Sequence, residues 1–120
     1  MIIKRFTIWA FVAMVTAWPS NLRAADLVAY LNCNWGMQAT TTIEIRKGNT
    51  QAFDSFYRER DFSHMSTDIT NRSYIVFKKD PDFYIVFIID KETGAATNQV
   101  INNEHGMHLN MTWEGQCSIK

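Results

Sequence analysis

The stretch SYIVFKKDPDFYIVFIIDKETG, residues 73–94, decides the fold. Ser73 to Lys78 and Phe83 to Ile89 are short runs of β-branched and aromatic residues, the composition of strands. Lys79-Asp80-Pro81-Asp82 separates them as a hairpin turn, and Asp90-Lys91-Glu92-Thr93-Gly94 turns the chain again. Ala95 to Asn102 then returns as a strand, Asn102 to Gly106 makes another hairpin, and Met107 to Trp113 is the last long strand.

The same reading extends toward the N-terminus. Leu27 to Asn34 is a first strand, Asn34-Trp35-Gly36 a turn, and Thr40 to Lys47 a second strand rich in threonine and isoleucine. Lys47-Gly48-Asn49 is the next break. Residues 50–63 read as a strand plus a loop, and Asp68 to Asn71 as a turn or short bridge. Consecutive short strands joined by tight turns predict an all-β fold: a small antiparallel meander barrel or sandwich of about 7–8 strands.

The strands 74–78 and 83–89 are apolar on both faces, whereas a strand with one wet face alternates. Pointing Lys78 and Asp90 to solvent puts Tyr74, Val76, Tyr84, Val86 and Ile88 on the outer face. Ile75, Phe77, Phe83, Ile85, Phe87 and Ile89 then form the core. A contiguous outer apolar patch marks a covered surface. The cover is either the chain's own 50–63 segment or another protein, as a homodimer or a different partner.

The first residues carry an address. Lys4 and Arg5 precede an apolar run from Phe6 to Trp18, Pro19 and Ser20 break it, and Ala24-Ala25 offers a small residue for cleavage. The apolar run is about 13 residues, short of the roughly 20 needed to span hydrocarbon, so residues 1–24 read as a cleavable signal peptide and 25–120 as one domain. The expected location is periplasmic or secreted, with no membrane attachment after cleavage. Loss of Lys4, Arg5 and Arg23 with the leader takes the formal charge from 0 to −3. That balance, without a basic stripe, gives no basis for nucleic-acid binding. Cys33 and Cys117 are the chain's two cysteines, and in an oxidising compartment they predict one disulfide near the two ends of the domain.

Asp68-Ile69-Thr70, Tyr74-Ile75-Val76, FIIDKETG at 87–94 and Trp113-Glu114-Gly115-Gln116-Cys117 together resemble a loose group of small secreted bacterial β proteins. That group carries an N-terminal cysteine, "IT" before a strand, "IDR-x-TG" at a hairpin and "G-x-C" near the end. Lys91 stands here where the pattern has arginine. The resemblance covers roughly residues 33–117 and implies export and a β fold, with no activity attached. The layout is also similar in outline to periplasmic lysozyme inhibitors of the small-barrel type, without the Ser-Gly loop that those insert into the lysozyme cleft.

Residues suited to chemistry do not assemble into a motif. His105, Met107, His108 and Met111 suggest copper by ligand type. Strand parity, however, puts Met107, Leu109, Met111 and Trp113 on one face and His108 on the other, so the methionines read as core filler. His105 and His108 are weak metal candidates, and no cofactor is expected. Ser63, His64, Ser66 and Asp68 lack any nucleophile-elbow or zinc-protease spacing. Asp54, Glu59 and Asp61 read as solvating an exposed segment with Arg58 and Arg60. Trp35 and Trp113 read as packing near the disulfide. The sequence therefore predicts a non-enzymatic binding or interaction domain, with enzyme inhibition one version of it. A carrier of a small apolar ligand and a copper-handling protein are the alternatives.

Overall fold

The computed structural model describes residues 27–120. The expected signal peptide at 1–24, and the domain boundary expected after it, lie outside the described residues. Eight strands follow in chain order: β1 (Leu27–Asn34), β2 (Thr40–Arg46), β3 (Gln51–Asp54), β4 (Ser66–Ile69), β5 (Ser73–Asp80), β6 (Phe83–Asp90), β7 (Ala95–Asn102) and β8 (Leu109–Ile119). A single 3-10 turn, Glu104–Gly106, precedes β8, and the described residues contain no α-helix.

The strands form one antiparallel sheet in the order β3-β2-β1-β8-β7-β6-β5-β4. Two meanders, β1–β3 and β4–β8, are thus joined where the first strand meets the last. The sheet curls into a half-barrel, and its two edges touch at a bridge between Thr50 and Met65. There the Met65 N–H donates to the Thr50 carbonyl at 2.8 Å and the Thr67 hydroxyl to Thr50 Oγ1 at 2.7 Å. Curling of this kind shields edge strands that would otherwise pair with other chains.

Cys33 and Cys117 face each other in the β1–β8 ladder with Cα atoms 3.9 Å apart, and they are joined by the disulfide. The bridge staples the seam between the two meanders. It closes a loop with sequence separation 84, for which chain entropy allows at most about 4–5 kcal/mol. Beside it the chain requires glycine. At Gly94 φ is +78°, and a Cβ would collide with the Cys117 carbonyl oxygen; at Gly115 a Cβ would strike the Asn34 carbonyl and the Trp35 ring.

The concave face is the core. Leu31 on β1, Ile43 and Ile45 on β2, Val76 on β5 and Ile85, Phe87 and Ile89 on β6 are buried almost completely, and Phe62 and Met65 close over them from the β3–β4 connection. These side chains fill the interior.

Several strand boundaries differ from the sequence reading, with β5 running on to Asp80 and β8 starting at Leu109. The last strand runs on to Ile119, carrying Cys117 into the sheet, and Ser66–Ile69 is a full strand rather than a turn. Residues 50–63 are a strand plus a loop, as expected.

The outward face of β5 is the reverse of the expectation. Asp80 pairs with Phe83 across the two-residue turn Pro81-Asp82, so Val76 lies opposite Phe87 and Tyr74 opposite Ile89. Directly opposed residues share a face, hence Tyr74 and Val76 point inward and Ile75 and Phe77 outward. Val76 is 0% exposed. The misleading residue is Lys78. It sits at the inner rim and turns its ammonium up to the Asp61 carbonyl, 2.8 Å away, so its charge does not mark a solvent face. On β6 the expected inward set, Phe83, Ile85, Phe87 and Ile89, is the buried one.

Candidate functional site

The first candidate is the convex face of the β5–β6 hairpin. Ile75 lies opposite Ile88, Phe77 opposite Val86 and Lys79 opposite Tyr84. β7 adds Ile101 beside Tyr84, then Gln99 and Thr97. Ile88 is 42% exposed; Ile75, Phe77, Tyr84 and Ile101 are half-buried; and Val86, at 8%, is walled in by its neighbours. Of the five residues expected on this face, Tyr84, Val86 and Ile88 lie there together, whereas Tyr74 and Val76 do not. The half-buried Tyr74 packs against the core, with Lys91 Nζ 5.1 Å from its ring centre.

The second candidate is the mouth of the half-barrel, crossed by residues 55–65. This segment lies over the concave side and leaves the convex patch uncovered. Tyr57 meets the Phe83 ring edge-on at 5.4 Å, Phe62 stacks on it at 6.1 Å, and the Arg60 guanidinium sits 3.6 Å over its face. Arg60 also pairs with Glu104 in the 3-10 turn, and Lys78 holds the Asp61 carbonyl. The loop is thereby tied to β5, β6 and the β7–β8 connection.

Beneath the loop runs a buried polar chain. Trp35 Nε1–H donates to Thr41 Oγ1 at 2.8 Å, and the Thr41 hydroxyl donates to Asp54 Oδ2 at 2.7 Å. Asp54 Oδ1 accepts the backbone N–H groups of Phe56 and Tyr57 at 2.9 and 3.1 Å. Asp54 therefore shapes the start of the loop, the N-cap kind of work that Asp side chains do at a chain reversal. At 7% exposure it is buried, correcting the reading that it solvates an exposed segment. The ion pairs among the described residues (Arg46–Glu44, Arg60–Glu104 and Arg72–Asp90) do not include it. Its charge and the burial of Tyr57 both raise the Tyr57 phenol above the usual tyrosine range, burial contributing most, while Arg60 opposes them.

Facing this chain is Asn98 on β7, 6% exposed, whose Oδ1 has no hydrogen-bond partner. Trp35, Ala39, Asp54, Phe56, Tyr57, Asn98, Val100 and Trp113 enclose a slot of about 10 Å³. Trp113 packs on the exposed Phe56 at 5.9 Å and against the core cluster that holds Cys33 and Cys117, and it lines the slot. Sequence reasoning missed Asn98 and Thr41, and one signal for both was available. Inward parity along Ala96-Asn98-Val100 and Thr41-Ile43-Ile45 places a polar residue in line with core positions.

The remaining chemical candidates stay apart. His105 occupies the 3-10 turn at φ +58°, His108 Nδ1 bonds to Asn103 Oδ1, and Met107 is exposed ahead of β8 instead of filling the core. No group of three His, Cys, Asp or Glu side chains placed to hold a metal ion occurs among the described residues. Asp61 accepts hydrogen bonds from Ser63, which hold its carboxyl below the ordinary range.

Comparison with protein-family models, with curated proteins and with solved structures finds no match to this chain.

Proposed function

We propose that this protein is an exported, non-enzymatic domain that binds a protein partner through the convex face of β5 and β6. The observation that carries the reading is the apolar set Ile75, Phe77, Tyr84, Val86 and Ile88, which the 55–65 loop leaves open because that loop packs on the other side of the sheet. An apolar patch of this kind on a small domain marks a contact surface. The formed disulfide suits an oxidising compartment, in keeping with a periplasmic or secreted location. Among the described residues the concave side is packed with core side chains and the slot beneath the loop has room for about 10 Å³, which favours surface binding over the carrier reading. Inhibition of an enzyme by occupation of that face is one form the interaction takes.

Site-directed photocrosslinking in the exporting cell tests this. A photoreactive residue at Ile88 should give a discrete higher-mass adduct, and a second substitution, Tyr84→Lys, should abolish it. The same probe at Thr42, on the convex side of β2, should give none. Identical adduct patterns from Ile88 and Thr42, or a folded protein with no adduct at Ile88, would contradict the proposal. An adduct at twice the chain mass identifies the partner as a second copy.

A further inference from the structure

We infer that the slot beneath the 55–65 loop receives a primary ammonium group carried on a slender aliphatic stem. Three properties of the slot select this chemistry. Its space, about 10 Å³, is that of a single water-sized group, which an ammonium head matches. Its lining residues include two that carry acceptors, Asn98, whose Oδ1 has no hydrogen-bond partner, and Asp54 with its carboxylate. An occupant that donates hydrogen bonds satisfies the unpaired acceptor, and an ammonium carries three donors and no acceptor.

Charge points the same way. Asp54 is buried, its oxygens are held by Thr41, Phe56 and Tyr57, and no cation is paired with it among the described residues. A buried charge without a counter-charge is costly, and a cation arriving beside it recovers that cost. The walls are the aromatic rings of Trp35, Phe56, Tyr57 and Trp113, whose faces attract a cation. Phe56, 60% exposed and packed on Trp113, offers an apolar track for the methylene stem at the mouth. Two sources supply this chemistry: a free alkylamine, or a lysine side chain presented by a peptide. The site is distinct from the convex face, so it stands whether or not that face binds a partner.

Trp35 and Trp113 both line the slot, so tryptophan emission reports occupancy directly. The exported protein should be titrated with n-butylammonium chloride and with Nα-acetyl-lysine methylamide, using sodium chloride at matched ionic strength and 1-butanol as controls. A saturable emission change is expected with butylammonium. It should weaken by about tenfold or more in Asn98→Leu and in Asp54→Asn, the loss expected for one hydrogen bond to a charged group. Asn98→Leu removes an unpaired buried acceptor and so is expected to fold; Asp54→Asn keeps the side chain's shape as the second check. Binding of the lysine derivative as well assigns the slot to a peptide lysine, and binding of butylammonium alone assigns it to free amines. No saturable change with either amine, an equal response to 1-butanol, or unaltered binding in both variants would overturn the inference.

Discussion

The two faces of the β5–β6 hairpin have nearly the same composition and opposite fates. On the concave side Val76, Phe83, Ile85, Phe87 and Ile89 are sealed beneath the curled sheet and the 55–65 loop. On the convex side Ile75, Phe77, Tyr84 and Ile88 meet water. Burial is thus set by the direction in which the sheet curls and by the side on which the loop lies, while hydrophobicity alone is silent about it.

The largest consequence of that contrast is in stability. Phe87→Ala opens a cavity in a fully packed interior and should cost about 3–5 kcal/mol in denaturant unfolding, whereas Ile88→Ala one position along should stay within about 0.5 kcal/mol. Comparable losses at the two positions would erase the distinction between the faces. Next in size is the seam. Cys33→Ser with Cys117→Ser leaves β1 and β8 joined by their ladder alone and should cost about 2–5 kcal/mol, read as a lowered melting temperature.

The polar mouth sharpens the comparison on a smaller scale. Asp54→Ala strands the Thr41 hydroxyl and the Phe56 and Tyr57 N–H groups, a loss of about 1–3 kcal/mol, while Asn98→Leu on the facing strand should be neutral or stabilising. Urea unfolding of the two variants side by side checks the sign.

The smallest effect is electrostatic and lies at the turn between β6 and β7. Asp90 Oδ1 accepts the Thr93 and Glu92 N–H groups at 2.9 and 2.8 Å, and these bonds hold its carboxyl below the usual aspartate range. A depressed carboxyl contributes stability that is complete above the ordinary aspartate range and is lost as pH falls through the folded-state value. Melting temperatures followed from neutral to acid pH should therefore converge for wild type and Asp90→Asn at the acid end. Parallel curves would remove Asp90 from the account.

Much of this architecture was legible in the sequence because turn chemistry and β-branched runs are local signals. Pro81-Asp82, Gly94 and the threonine-rich 40–46 run mark their elements without help from the rest of the chain. The outward face of β5 was not legible from charge. Lys78 is long enough to sit on the inner side at the rim and still reach a carbonyl of the loop, so its charge does not report strand parity. Hairpin register was the better guide, since a two-residue turn pairs Asp80 with Phe83 and carries Val76 inward with it. The slot was hidden for another reason. Trp35, Asp54, Asn98 and Trp113 come together through the closure of the sheet, and no spacing along the chain encodes that meeting.

The convex face depends on which way β5 is turned, and a shift of one residue would exchange its two sides. Methyl and aromatic nuclear Overhauser contacts read that orientation without altering the protein. Contacts from Val76 methyls to the Phe87 ring and between Ile75 and Ile88 methyls are the expected result. Contacts from Val76 to Val86 or Ile88 would place Val76 outside and contradict the account.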